Sequence, residues 1–275
     1  MSAHSRRDLM APPPLDADDC DAVRCGCGRG ARRDGALWRV ALAELVGTAL
    51  LVLLSCLAAC APGAAALPLH RALAAGFVVT ALVQTLDHIS GAFFNPTVLL
   101  AAVLWGRVGG RRALALGGAQ LAGAVLGAGA LHALQPAAAA SCVTRPAPGL
   151  PLHEAALIEC VLGGCLALAN CGAWDPRSAE RRDSWPTRIG LTVAALSLVA
   201  GELTGASMNP ARSFGPALWS GAWDRHWIYW VSPLSGSLMC TLVYIAAWRP
   251  LPLPPPPGPR KARPPQEARD ASEDA

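Results

Sequence analysis

The central part of this chain carries too few charged residues to be exposed to water. Residues 37 to 248 contain 21 charged residues, whereas the short segments on either side are densely charged. A soluble protein has roughly one charged residue in four. We therefore expect a membrane domain. A soluble enzyme and a disordered protein are excluded, and the scattered net charge of +4 is too small for a nucleic-acid binder.

Six apolar stretches in this region are long enough to cross a bilayer, which takes about twenty residues in a helix. They lie at about 37–61, 69–87, 113–135, 153–173, 187–206 and 227–248. Two shorter stretches, at about 96–106 and 210–220, each follow an Asn-Pro pair. Their length is typical of re-entrant half-helices. The predicted fold is an all-α membrane protein with six transmembrane helices and two re-entrant half-helices.

Basic residues in the short connections predict the orientation, because such residues collect on the cytoplasmic side. The connections after the second and fourth spans hold Arg107, Arg111, Arg112, Arg177, Arg181, Arg182 and Arg188. The opposite side holds only Arg71, Arg145 and Arg225. We therefore expect both termini in the cytoplasm. Residues 1–36 are predicted to form a disordered tail and 249–275 a Pro-rich tail. We expect the plasma membrane as the location.

An internal repeat relates the two halves of the membrane domain. Ser90–Pro96 (SGAFFNP) and Thr204–Pro210 (TGASMNP) match at an offset of 114 residues, and Glu44 and Glu159 match at an offset of 115. Each half has three spans, which is an odd number, so the second half enters the membrane from the opposite face. The result is an inverted repeat. The two repeats cover about 37–135 and about 153–248.

The two Asn-Pro pairs predict a pore. Half-helices that enter from opposite faces meet near the midplane with their positive N-terminal ends. Pro96 and Pro210 suit the first helical turn, and Asn95 and Asn209 suit the N-cap. Their amides can then donate to an oxygen in a lumen, while the two positive helix ends repel cations. A single Asn-Pro usually only caps a buried helix, but two copies in an inverted repeat favour a pore for small neutral solutes.

These residues resemble the aquaporin (major intrinsic protein) family over about 37–248. The segment Asn209–Ala217 is similar to the family's second signature without a change, and Asn95-Pro96-Thr97 is similar to the first, with Thr97 in place of the usual Ala. The resemblance implies a passive channel, a homotetramer with one pore per protomer, and no enzymatic activity or cofactor. It also implies which residues form the pore and support its loops: Asn95, Pro96, Thr97, Asn209, Pro210 and Ala211 in the pore, and Glu44, Gln120 and Glu159 behind the loops.

In this family a selectivity filter of four side chains is placed by its spacing from the two asparagines. The corresponding residues are Ala75, Ser197, Ala206 and Arg212. Strict water channels usually have Phe and His at the first two positions, so the resemblance implies an opening wider than one water molecule. Arg212 would supply fixed donors and exclude cations. A slip of one residue in the second span would instead place Gly76 or Phe77 in the filter.

Other residues point to the water-channel branch of the family, namely Ser213, Ala217, Tyr229 and Trp230. A water-channel scaffold with small filter residues is similar to the insect glycerol-conducting lineage, the entomoglyceroporins. We therefore expect passage of water and of small neutral solutes such as glycerol and urea. A strictly water-selective channel and a non-conducting structural or adhesive protein on the same fold remain as alternatives. Phe93, where the family often has His, could narrow the pore or pack outward.

Two further features concern cysteine chemistry and regulation. Six of the ten cysteines lie in or beside apolar stretches, where cysteine acts mostly as a small hydrophobe: Cys56, Cys60, Cys160, Cys165, Cys171 and Cys240. Cys25 and Cys27 in the N-terminal tail could bind metal or carry palmitate, but no second ligand pair lies near them, and we predict no metal site. The sequence from Arg181 to Ser184 resembles a basophilic kinase substrate, so Ser184 is a candidate phosphorylation site. Alternatively, its arginines only set the topology.

Overall fold

A computed structural model describes residues 30–60, 68–137 and 139–250 of the chain. The described residues form eight α-helices: α1 (Gly30–Cys60), α2 (Pro68–Ser90), α3 (Pro96–Trp105), α4 (Gly110–Leu134), α5 (Leu152–Trp174), α6 (Trp185–Thr204), α7 (Pro210–Ser220) and α8 (Ile228–Ala247). Six of them are long and apolar enough to cross a membrane, whereas α3 and α7 are half that length. The predicted six-span architecture with two half-helices is confirmed.

Some helix ends differ from the predicted ones. The second span was predicted to end at residue 87, but α2 continues to Ser90, where Gly91 with φ of +94° ends it. The apolar stretch ends at the polar residues of the last turn, whereas the helical hydrogen bonds continue through them. Likewise α1 begins at Gly30, inside the predicted N-terminal tail. The rest of that tail, the Cys25 and Cys27 cluster and the segment from 251 lie outside the described residues.

The helices pack in pairs that repeat between the halves. Helix α1 packs on α4 in the first half as α5 packs on α8 in the second, and α2 packs on α6 between the halves. Gly123 and Gly127 lie directly against the backbone of α1, at Leu45 and Ala49, where a Cβ would overlap a carbonyl oxygen. Small residues at such contacts let membrane helices approach closely. Gly118, on the same helix, has no such neighbour.

The half-helices position the centre of the molecule. Helix α3 packs on α8, and α7 packs on α4, so each half-helix lies against a helix of the other half. Each begins at an Asn-Pro pair and ends at a glycine in the left-handed region, Gly106 and Gly221. The positive N-terminal ends of α3 and α7 therefore meet inside the bundle, while large apolar side chains such as Leu114 and Val199 are exposed on its outside.

Candidate functional site

Asn95 and Asn209 hold the two half-helix starts together. The Asn95 Oδ1 accepts from the Thr97 N–H at 2.8 Å, and the Asn209 Oδ1 accepts from the Ala211 N–H at 3.0 Å. The Asn95 Nδ2 donates to the Met208 carbonyl, and the Asn209 Nδ2 donates to the Phe94 carbonyl, each at 2.9 Å. A side-chain amide carries two N–H donors, so each asparagine retains one.

Both asparagines line one lumen of about 330 Å³. The segments that lead into them, 91–94 and 205–208, line the same lumen. In each segment the first and third residues before the asparagine adopt the left-handed region, with φ of 46° and 49° at Ala92 and Phe94 and of 40° and 54° at Ala206 and Met208. This conformation is unfavourable for residues other than glycine. The surrounding structure must hold it in place.

Glu44 holds the first of these segments. Its carboxylate is fully buried and accepts hydrogen bonds from the Phe93 N–H at 2.9 Å and the Phe94 N–H at 2.7 Å. The Ser90 hydroxyl and the Gln120 side chain donate to it as well, at 2.6 and 2.8 Å. The structure thus brings Glu44 and Gln120 together behind the loop.

Glu159 holds the second segment, 205–208, in the same way. It is fully buried and accepts from the N–H groups of Ser207 and Met208, both at 2.9 Å, and from the Thr204 hydroxyl at 2.7 Å. Sequence reasoning missed Ser90 and Thr204, although they are the first aligned pair of the repeat and each also accepts a loop N–H two residues on. The alignment of the two repeats pairs Ser90 with Thr204, so these two residues could have been found from the sequence.

Ala75, Ser197, Ala206 and Arg212 all line the lumen, at the end that we name the filter end. The opposite end, where α8 finishes, is the tail end. The neighbouring residues of α2 point elsewhere. Gly76 packs against the α6 backbone at Gly190, and Phe77 is 59% exposed on the outside of the bundle. Gly76 and Phe77, the alternative filter residues, therefore do not line the lumen.

The connection between α4 and α5 folds into the filter end. It forms a 3₁₀ turn at Ala139–Cys142, and the Cys142 carbonyl accepts from the Arg212 Nη1 at 3.2 Å. Further along, the Thr144 hydroxyl donates to the Ser213 hydroxyl at 2.8 Å. Residues 141–145 line the lumen. This contact could not be predicted from the sequence, because the connection is rich in alanine and has no repeat partner.

A disulfide joins Cys142 to Cys56 in α1. The interpretation of Cys56 as a small hydrophobe was therefore wrong. Residue type and hydropathy do not reveal that the last turn of α1 and a connection 86 residues away meet at one end of the lumen. Cys160, Cys165, Cys171 and Cys240 are thiols.

Residues 32–244 match the Major intrinsic protein family. This chain belongs to that family. Among its relatives, the lens fiber major intrinsic protein of Gallus gallus is 36% identical over 216 residues, covering 77% of this chain and 82% of that protein. Aquaporin TIP4-2 of Zea mays is 37% identical over 249 residues, covering 84% and 89%. Aquaporin-4 of Bos taurus is 34% identical over 214 residues, covering 75% and 66%.

A solved structure shares the fold of this family member. The X-ray structure of the aquaglyceroporin from Plasmodium falciparum superposes with a TM-score of 0.70 at 21% identity, covering 76% of this chain and 95% of that one. The expected family and fold class are thus confirmed.

Two residues that depart from the family pattern occupy different places. Thr97 is fully buried outside the lumen wall, and its carbonyl accepts from the Ser237 hydroxyl at 2.8 Å. Phe93 lines the lumen and also packs edge-on against Trp174, with ring centroids 6.4 Å apart. Asn170, which sequence reasoning missed, lines the lumen too and donates to the Leu166 carbonyl at 2.9 Å.

The tail end carries a polar cluster that the sequence did not single out. Arg177 donates to both carboxylate oxygens of Asp175, at 2.9 and 2.6 Å, and the Tyr244 hydroxyl donates at 3.1 Å. These hydrogen bonds hold the pKa of Asp175 well below its usual range. Since Arg177 also donates to the Trp248 carbonyl, the cluster ties the connection after α5 to the end of α8.

The candidate phosphorylation site lies on the same connection. Ser184 is exposed and immediately precedes α6, and its hydroxyl donates to the Arg181 carbonyl at 3.0 Å. Arg188 donates to the same carbonyl at 2.7 Å. In the part of the chain that the structure describes, no group of three or more metal-ligating side chains is found.

Proposed function

We propose that this chain is a passive membrane channel for water and small neutral solutes. The observation that carries the proposal is the pair of asparagines in one lumen, each with one amide N–H left to donate. An oxygen that passes this point can accept from both. The positive ends of α3 and α7 face the same point and oppose the entry of cations. Relatives named as aquaporins support the same function.

The solute range rests on the filter. Ala75, Ser197 and Ala206 leave the Arg212 guanidinium as the only large group among the four side chains. A solute of the size of glycerol or urea meets no aromatic ring at this level. We therefore favour a channel for water and small polyols or amides over a strictly water-selective one.

Orientation and assembly belong to the same proposal. The Cys56–Cys142 disulfide lies at the filter end, and disulfides persist mainly in oxidising compartments. This favours an extracellular filter end and cytoplasmic termini in the plasma membrane, as the arginine distribution also does. Exposed apolar side chains on the outer helix faces, such as Leu157 and Val161, are available to lipid or to neighbouring subunits of a homotetramer.

The test is stopped-flow osmotic measurement on proteoliposomes with water, glycerol and urea. Ala75→Phe combined with Ser197→His returns bulk to the filter, so glycerol permeability should fall far more than water permeability. Ala81→Phe is the matched control, since Ala81 lies on the same helix but is exposed and away from the lumen. Equal losses for both solutes would contradict the filter argument. Wild-type vesicles that pass no solute would favour the structural or adhesive alternative.

Ser184 is proposed as a regulatory phosphorylation site. A phosphate there adds about −1.5 to −2 charges at the positive start of α6, with Arg181 and Arg188 within one or two turns. Such a group would be held by these arginines and would order the connection. Ser184→Ala and Ser184→Asp should differ in solute flux at equal abundance. Indistinguishable flux under kinase activation would leave the arginines with a role in topology alone.

A further inference from the structure

We infer that the Cys56–Cys142 disulfide is a positioning device for Arg212 and thereby sets the solute selectivity of the channel. The inference rests on the proposed function. The two cysteines lie outside the four filter side chains. The disulfide acts on the filter through the hydrogen bond between the Cys142 carbonyl and Arg212.

The first step is the contact between Arg212 and the connection. A guanidinium carries five N–H donors in a rigid fork, so an acceptor at one of them restricts the positions that the whole group can take. The Arg212 Nη1 donates to the Cys142 carbonyl at 3.2 Å. The position of that carbonyl therefore restricts how Arg212 faces the lumen.

The second step is what holds the carbonyl. Cys142 is almost completely buried, and its side chain is bonded to Cys56, also buried, in the last turns of α1. Just before it, the Ser141 hydroxyl lies 3.7 Å from the Cys60 Sγ, and after it the next side-chain anchor is the hydrogen bond of Thr144 to Ser213. The disulfide is thus the covalent link between the 3₁₀ turn at Ala139–Cys142 and the helix bundle.

The third step is the effect of the Arg212 position on solute passage through this filter. Ala75 and Ala206 have no side chain beyond Cβ, and Ser197 adds only a hydroxyl. Among the four filter side chains, Arg212 therefore faces no other large group. A guanidinium released from the Cys142 carbonyl can move into the opening, where it obstructs glycerol more than water.

Two variants and one control distinguish the effect of the disulfide from the effect of neighbouring residues. Cys142→Ala removes the disulfide but leaves the backbone carbonyl that Arg212 uses. Cys56→Ala removes it from the other side. Cys60→Ser is the matched control: Cys60 is one turn from Cys56, with its Sγ 3.7 Å from the Ser141 hydroxyl, but it takes no part in the disulfide.

The flux experiment measures the glycerol-to-water permeability ratio in proteoliposomes. We expect Cys142→Ala to lower the ratio by about threefold or more, a change consistent with a modest coupling between contacting groups. Cys60→Ser should leave it unchanged. In an Arg212→Ala background the same cysteine substitution should have no further effect, because the group that it positions is gone. A ratio equal to wild type, or an equal change in both backgrounds, would overturn the inference.

A second readout does not depend on conduction. Hydrogen exchange of the amides in residues 139–147 should become about tenfold faster in Cys142→Ala, since the segment opens locally without its link. Unchanged exchange would overturn the inference. If a variant fails to fold, reduction and alkylation of reconstituted wild-type protein replaces it. A wild type that passes no solute contradicts the proposed function, whereas a conducting wild type with an unaltered variant contradicts only this inference.

Discussion

The buried glutamates give the sharpest test of how the pore loops are held. In Glu159→Gln the side-chain shape is kept, but one carboxylate oxygen becomes an NH₂ group. The Oε1 accepts from Thr204 and Ser207, whereas the Oε2 accepts only from the Met208 N–H at 2.9 Å. The amide oxygen is therefore expected to take the Oε1 position. Its NH₂ group then faces the Met208 N–H, donor against donor.

The size of the effect follows from these three hydrogen bonds. Hydrogen bonds to a charged group contribute about 1.5–3 kcal/mol net, and neutral ones about 0.5–1.5 kcal/mol. Two bonds are weakened, and one buried N–H is left unpaired at a cost of about 1–3 kcal/mol. The sum is about 3–6 kcal/mol. For a chain of this size that lowers the Tm by roughly 6–24 °C.

The assay is thermal unfolding of purified protein in detergent, followed by water permeability in vesicles. Glu154→Gln is the matched control, because Glu154 lies on the same helix but is exposed. We expect Glu159→Gln to lose both stability and permeability, since Ala206 and Met208 leave their strained conformation when Glu159 no longer holds the loop. A Tm within about 2 °C of the control, less than 1 kcal/mol, would refute the argument.

Two further predictions concern packing and pH. Gly123→Leu should prevent folding, because a side chain there overlaps the α1 backbone, whereas Gly118→Leu should behave like wild type; size-exclusion profiles distinguish the two. Burial lowers the pKa of His226, whose Nε2 accepts from the Trp230 Nε1 at 3.1 Å. The unfolded chain therefore binds the proton first, and stability should fall as the pH drops below about 6.5. His226→Gln should lose less Tm than wild type between about pH 7.5 and 5.5; an equal loss would contradict the assignment.

Much of this molecule could be predicted from local properties of the sequence. A span of about twenty apolar residues has to be a helix in lipid, and the half-length stretches after Asn95 and Asn209 follow from the same arithmetic. The repeat then places the two asparagines together by symmetry. The resemblance to the aquaporin family implied that Glu44 and Glu159 support the loops, in agreement with the need of an intramembrane glutamate for hydrogen-bond donors.

Only the tertiary structure revealed the contacts that neither hydropathy nor the internal repeat predicts. The Cys56–Cys142 disulfide joins residues 86 positions apart, and the carbonyl that holds Arg212 belongs to a connection with no counterpart in the other half. Asn170 lines the lumen because of the way α5 is oriented in the bundle. Hydropathy predicts which segments lie in lipid, and repeat symmetry predicts which residues occupy matching positions in the two halves. Contacts between distant segments depend on how the helices pack, and that is set by all their side chains together.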